Sequence, residues 1–213
     1  MGTFLDLQTN IANDLTRNDL TSQIQSAIND AIKQYERSRF WFNVTRSITF
    51  TTNAGQSTYT GNDLVNIPHV IKLDKLFIVN GVSTYPLTHY EPDQFEWLTA
   101  LNTANGLPTI YTYVDESIIM WPVPVTGYVI RPHMHYRLLP RPLVNDTDTN
   151  AWTGDGENLI RAHAKLILYS SVLEDDEGAQ RMSNQIPGIK AMLDYETSAR
   201  MATGRIRPPP GNF

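Results

Sequence analysis

The chain has 213 residues, 41% of them hydrophobic and 18% charged, with no cysteine and a formal net charge of −5. This is ordinary globular composition, long enough to bury roughly 70% of the unfolded surface without a covalent staple. The missing cysteine excludes disulfides and thiolate metal sites and fits a reducing compartment, and the acidic balance argues against a broad electrostatic footprint for nucleic acid.

The first residues, MGTFLDLQTNIAND, lack a basic region followed by a long apolar run, so neither a signal peptide nor a membrane span is expected. Thr3 to about Leu15 reads as a short helix, with Thr3 as cap and Leu5, Ile11 and Leu15 apolar. Arg17-Asn18-Asp19 breaks it. The next stretch organises the chain. Leu20, Ile24, Ala27, Ile28, Ala31, Ile32 and Tyr35 recur at steps of three and four, one apolar stripe of helical period. Asp19 or Thr21 is the expected cap, and Gln25, Lys33, Gln34 and Glu36 should face water. The helix runs into Phe40, Trp41 and Phe42, where the period changes from helix to strand. Ile24, Ile28, Ile32, Phe40, Trp41 and Phe42 are therefore expected to form a structural core at a helix-to-sheet junction.

Strand signals dominate the middle of the chain. Val44–Thr52 and Ser57–Thr60 flank the turn Asn53–Gln56. Val70–Val79 is a nearly continuous apolar run that suggests burial on both faces. It meets Asn80-Gly81, a dipeptide suited to a tight hairpin, and Val82–Leu87 should pair back on it. Pro92 opens a short helix through about Leu98. Ile110–Val114 and Ser117–Trp121 read as a second hairpin across Asp115-Glu116. Gly127–Leu139 reads as an edge strand because it contains Pro132. Leu139–Gly156 is a long polar loop.

Helical periodicity then returns over Leu159–Leu173, with Arg161, Lys165 and Ser170 off the stripe. Glu174–Gly178 interrupts, and a last helix is expected from about Ile186 to Ala202. The ending GRIRPPPGNF cannot continue a helix, because its prolines lack the backbone donor. The order helices, strands, helices predicts an α+β fold. Residues 1–43 and 157–203 would form a helical bundle, residues 44–156 an antiparallel β insertion, and residues 204–213 an extended arm.

Chemistry-bearing patterns are few. Asp146, Asp148, Asn150 and Glu157 sit at calcium-loop spacing, but Ala151 stands where the turn glycine belongs and no helix precedes the loop, so turn chemistry is the better reading. His133 and His135 would share one strand face, yet no third metal ligand is identifiable. Glu174, Asp175, Asp176 and Glu177 read as a solvated acidic turn. No nucleophile elbow, P-loop or dinucleotide turn is present, so the sequence gives an enzyme no anchor, catalytic residue or cofactor. The arm is a different kind of feature. Arg205 and Arg207 offer two guanidinium forks, Pro208, Pro209 and Pro210 stiffen the backbone, and Phe213 adds an aromatic end, together a candidate partner-binding segment.

Several of these elements recur in a known order. A long amphipathic helix ends in Glu36-Arg37-Ser38-Arg39-Phe40-Trp41-Phe42-Asn43, and the turn Gly55-Gln56-Ser57-Thr58-Tyr59 follows. Then come Pro108-Thr109-Ile110-Tyr111, Ile118-Ile119-Met120-Trp121-Pro122-Val123-Pro124, and two helices around an acidic, glycine-containing break. This arrangement resembles the head-to-tail adaptor (connector, head-completion) proteins of tailed bacteriophages, the short-tailed type. The resemblance implies a non-enzymatic virion protein, assembled in the host bacterial cytoplasm as a ring of twelve copies beneath the portal protein. It implies tail or nozzle proteins as further partners, genomic DNA passing through the channel and retained there, and neither cofactor nor membrane. Two rivals are a glycan- or receptor-binding virion module using Trp97, Trp121 and Trp152, and a hydrolase using the acidic loops.

Overall fold

The computed structural model describes residues 2–60, 69–100, 102 and 104–201. It contains five helices, α1 (Phe4–Leu15), α2 (Thr21–Tyr35), α3 (Pro92–Thr99), α4 (Glu157–Ser171) and α5 (Asp176–Met201). The strands are β1 (Val44–Thr45), β2 (Phe50–Thr51), β3 (Thr58–Thr60), β4 (Val70–Asn80), β5 (Ser83–Pro86), β6 (Thr88–His89), β7 (Asn105–Gly106), β8 (Ile110–Val114), β9 (Ser117–Trp121), β10 (Val123–Pro124) and β11 (Val129–Tyr136). The fold is α+β, as the element order predicts. The chain divides into two compact units, Met1–Phe42 with Pro142–Phe213, and Asn43–Arg141.

The helical unit is built from both ends of the chain. Thr3 caps α1 reciprocally: its hydroxyl accepts from the Asp6 N–H at 3.1 Å, and its own N–H donates to the Asp6 carboxylate at 2.8 Å. Phe4, Leu7, Gln8 and Ile11 form the buried face, while Leu5 points out. The stripe on α2 is buried through Ile24, Ala27, Ile28, Ala31, Ile32 and Tyr35. Its N-terminus has no side-chain cap, because the capping position falls on Leu20, which has no acceptor, while the Asp19 carboxylate is held by Arg17 at 2.7 Å. The helix stops at Tyr35, short of the aromatic run, and Glu36 is buried where solvent exposure is expected. Across from the stripe, α4 buries Leu159, Ile160, Ala162, His163, Ala164 and Leu168. The Tyr35 hydroxyl meets His163 Nδ1 at 3.1 Å, with the rings edge to face.

The aromatic junction has a different centre from the expected one. Phe40 and Phe42 are buried, but the indole enclosed between them is Trp152, only 1% exposed, with ring centroids 5.7 and 5.0 Å away. Trp41 is half-buried. Gly156 explains the close approach at α4: a Cβ there would lie 2.8 Å from the Trp152 ring. Residues 142–156, expected among the strands, thus belong to the helical unit. Asn29 pins them by donating to the Leu143 carbonyl at 3.0 Å and accepting from its N–H at 2.9 Å. The carbonyls of Asp148 and Asp146 accept from the Phe4 and Leu5 N–H groups, which satisfies orphan donors at the start of α1.

The last helix starts ten residues earlier than expected. Asp175 accepts from the Gly178 N–H at 2.9 Å and caps it. Pro187 lies within α5 without ending it. Pro187 and Ser183, whose carbonyl loses its intrahelical donor, are both exposed, so water can take that bond.

The β unit holds two main sheets around one core. One runs β1-β11-β4-β5, with β2 also on β11, and the other runs β3-β9-β8-β6. Leu76, Ile78, Ile130 and Met134 from the first face Tyr59, Tyr111, Ile118 and Met120 from the second. The β4–β5 turn takes positive φ at Gly81, and the β8–β9 turn takes it at Asp115 and Glu116. The expected strand Val44–Thr52 is split into β1 and β2. The burial expected on both faces of β4 is absent, since Lys72, Asp74 and Lys75 are exposed.

Two strands correct the edge assignment of β11, which lies inside its sheet. On one side it pairs with β4 throughout; on the other, residues 129–130 pair with β2 and residues 134–135 with β1. Tyr128 and Tyr136 turn their backbones toward that second side. Pro132, an even number of residues from both, faces the gap between β2 and β1, where the ladder requires no donor.

Two outcomes follow from the packing. Trp152→Ala should lower stability by about 3–5 kcal/mol, and Trp41→Ala by less than half as much, measured by urea denaturation. Burial pushes the His163 imidazole below its ordinary value of 6.5. Above that pH both folded and unfolded states are neutral, so nothing is lost. As pH falls below 6.5 the unfolded chain takes up the proton first, and stability drops until pH reaches the lowered folded value. A melting series should show that drop between neutral and mildly acidic pH, reduced in His163→Gln.

Candidate interaction surfaces

The C-terminal end of α5 is tied to the aromatic junction within the helical unit. The Arg200 guanidinium lies 3.9 Å above the centre of the Trp41 ring. The Trp41 backbone N–H donates to the Thr197 hydroxyl at 3.3 Å. An arginine stacked on an indole gains electrostatically from the negative ring face. Trp41 is therefore an anchoring residue and not the centre of the core, and its buried Nε1 has no partner among the described residues. The sequence signal for this role is the Thr197, Arg200 pair one helical turn apart, which carries no meaning until Trp41 is placed beside it. Arg205, Arg207, Pro208, Pro209, Pro210 and Phe213, the expected partner-binding segment, lie outside the described residues.

Most of α5 faces solvent. Of its 26 residues only Gly178 and Leu193 are buried, while Met192 and Tyr195 are 72% and 76% exposed. A cleft of about 410 Å³ lies beside this helix, lined by Asp14, Arg161, Lys165, Ile189, Met192 and Glu196 among others. Its polar wall is organised by Asp14, whose carboxylate accepts from Arg161 and from Lys165 at 2.8 Å. These bonds, the one from Arg161 first, hold the Asp14 carboxyl below the usual carboxylate range. The cleft offers a paired ion cluster beside apolar side chains, an arrangement for docking and not for proton transfer.

The other sequence candidates are placed as follows. Both Asp148 oxygens accept from the Val144–Asn145 segment, and Glu157 accepts from Asn10 at 3.0 Å, so these side chains hold turns and a helix start. His133 and His135 do share a face of β11, but His135 is buried and His133 packs on Phe77 with centroids 4.6 Å apart. Asp175 caps α5, and Glu174 takes a left-handed φ of 51°. The aromatic set for glycan binding is not an exposed set: Trp152 is core, Trp121 is half-buried, and of the three only Trp97 is broadly exposed. Among the described residues no helix is long and apolar enough to cross a membrane.

A family model described as SU10 adaptor protein matches residues 2–209. No curated protein matches the chain.

The Asp14 cluster gives a pH-dependent outcome. Its folded carboxyl lies below 3.8, so its contribution is complete above that value and is lost as pH falls through the lowered one. Asp14→Asn should cost about 1–2 kcal/mol at neutral pH and flatten the acid limb of a stability–pH curve. An unaltered acid limb would show that the cluster adds nothing to folding.

Proposed function

The chain belongs to the SU10 adaptor protein family and is a structural adaptor of a bacteriophage virion, and from this we propose that it works as the head-to-tail adaptor of a short-tailed phage. In this reading copies assemble in the host cytoplasm into a closed ring of twelve, which docks beneath the portal protein, receives the tail or nozzle proteins and helps retain the packaged DNA. A heterologous interface gives a ring only where its rotation closes, and an exposed apolar helix face supplies the kind of surface such an interface buries. Met192 and Tyr195 on α5 are the side chains we assign to it.

The observation that carries portal docking is the anchored end of α5. Arg200 on Trp41 and Thr197 on the Trp41 backbone fix the point from which the remaining residues depart. The last ten residues in polyproline geometry reach about 30 Å, enough to leave one subunit and meet another protein. Arg205 and Arg207 suit an acidic groove, Pro208, Pro209 and Pro210 limit the ordering entropy lost on docking, and Phe213 fills an apolar pocket. The arm, residues 204–213, is thus the proposed portal-binding segment.

Removal of residues 204–213 tests this. The truncated chain should melt within a degree or so of the full chain but fail to cosediment with portal rings. Undiminished cosedimentation would contradict the assignment and place the docking surface on the helices.

A further inference from the structure

Two Asn-Gly dipeptides occur in the sequence, Asn80-Gly81 and Asn105-Gly106. The combination is reactive in principle, because glycine has no Cβ to keep its nitrogen away from the preceding side-chain amide. Both lie in the β unit, and both asparagines are exposed. Their backbones are held differently.

Asn80 ends β4, and Gly81 opens the two-residue turn into β5. Gly81 lies beyond the last pair of both ladders, Asn80 with Ser83 on one side and Val79 with Val129 on the other. Its N–H makes no hydrogen bond among the described residues, and neither does the Asn80 carboxamide. Asn80, Gly81, Val82 and Ser83 are all exposed. A Cβ added at Gly81 would meet nothing within 4 Å, so the space around its nitrogen is open to water.

At the second dipeptide β7 runs parallel to β10, with Asn105 opposite Val123 and Gly106 opposite Pro124. The Val123 N–H donates to the Ala104 carbonyl at 3.0 Å. In a parallel ladder the next donor is then the Gly106 N–H, aimed at the Val123 carbonyl. That nitrogen is committed to the ladder. The related dipeptide Asp155-Gly156 is closed in the same way, since the Gly156 N–H donates to the Ala151 carbonyl at 2.9 Å.

We infer that Asn80 is a site of self-modification by succinimide formation and deamidation, and that Asn105 is protected from it. The Gly81 nitrogen gives its proton to hydroxide and attacks Cγ of Asn80. An N–Cγ bond forms, the Cγ–Nδ2 bond breaks, and the amide nitrogen leaves as ammonia, taking a proton from water and regenerating hydroxide. Water then opens the five-membered ring. Opening at the side-chain carbonyl leaves aspartate. Opening at the backbone carbonyl leaves isoaspartate, with the main chain routed through the former side chain. The net change is one water consumed and one ammonia released, with no oxidation or reduction. Either product adds a negative charge at the hairpin tip, and isoaspartate also lengthens the main chain by one methylene at the residue paired with Ser83. β5 is the outermost strand of its sheet and its four residues are exposed, so the change loosens an edge while Leu76 and Ile78 stay in the core. The inference goes beyond ring assembly and portal docking and depends on neither.

The test ages the full chain in warm, mildly alkaline buffer and sequences its peptides by fragment-ion mass spectrometry, which reads residues 80 and 105 separately. Isoaspartate is scored independently by methyl transfer from isoaspartyl methyltransferase. Residue 80 should convert with a single-exponential time course. Residue 105 should convert about tenfold more slowly, because its ladder bond must open first. In urea the two should convert at similar rates, since only the fold distinguishes them. Asn80→Ser should remove most of the methyl-accepting signal from the aged folded chain. Amide exchange at Tyr85, which pairs with Ile78, should quicken in the aged chain, while that at Ile118 in the second sheet should not. Equal rates at 80 and 105 in the folded chain, faster conversion at 105, or no conversion at 80 while both convert in urea would each overturn the inference.

Discussion

Burial of one indole holds the helical unit together. Trp152 is enclosed edge-on by Phe40 and Phe42, and Gly156 leaves the space its ring requires. Phe40 and Phe42 come from the first fifth of the chain and Trp152 from its last third, so the contact joins segments separated by more than a hundred residues. Other bonds of the unit span the same separation, including Asn29 to Leu143, Thr153 to Gly2, and Asp14 to Arg161 and Lys165. Each one requires that the chain ends have already met. A long-range contact of this kind costs loop-closure entropy before it contributes anything, and a buried aromatic cluster is the type of interaction large enough to offset that.

Local signals in the sequence identify much of this architecture, and distant partners account for what they miss. Period 3.6 marks α1, α2 and α4 because their apolar faces are continuous; the β4–β5 turn is legible because Asn80-Gly81 suits positive φ, and the β8–β9 turn because strand patterns flank it closely. Trp41 and Trp152 look alike as sequence. Adjacency to Phe40 and Phe42 favours Trp41, yet neighbours in an irregular segment point different ways, and the indole that fills the space comes from residue 152. Residues 142–156 read as loose loop because the bonds that order them go to α1 and α2. Pro132 reads as an edge marker because its tolerance depends on a gap between two other strands. The early start of α5 is hidden by Gly178 and Pro187, both poor helix residues in isolation.

The candidate surfaces were legible to different degrees. Composition exposes the cationic, proline-rich arm directly. Its anchorage is invisible to composition, since Arg200 acquires meaning only against Trp41. The shared face of Lys72 and Lys75 is hidden as well, because their spacing contradicts strand alternation until the β4 bulge is known.

The central functional claim is that copies of this chain close into a ring on the portal. Exposed Met192 and Tyr195 and a helix with two buried residues in 26 leave a face that a monomer has no use for. Electron microscopy of the full chain mixed with purified portal rings tests the claim most directly. The account predicts an added layer on one face of the portal, continuous around the axis and containing twelve copies. Portal rings without added density, beside monomers of this chain, would contradict it.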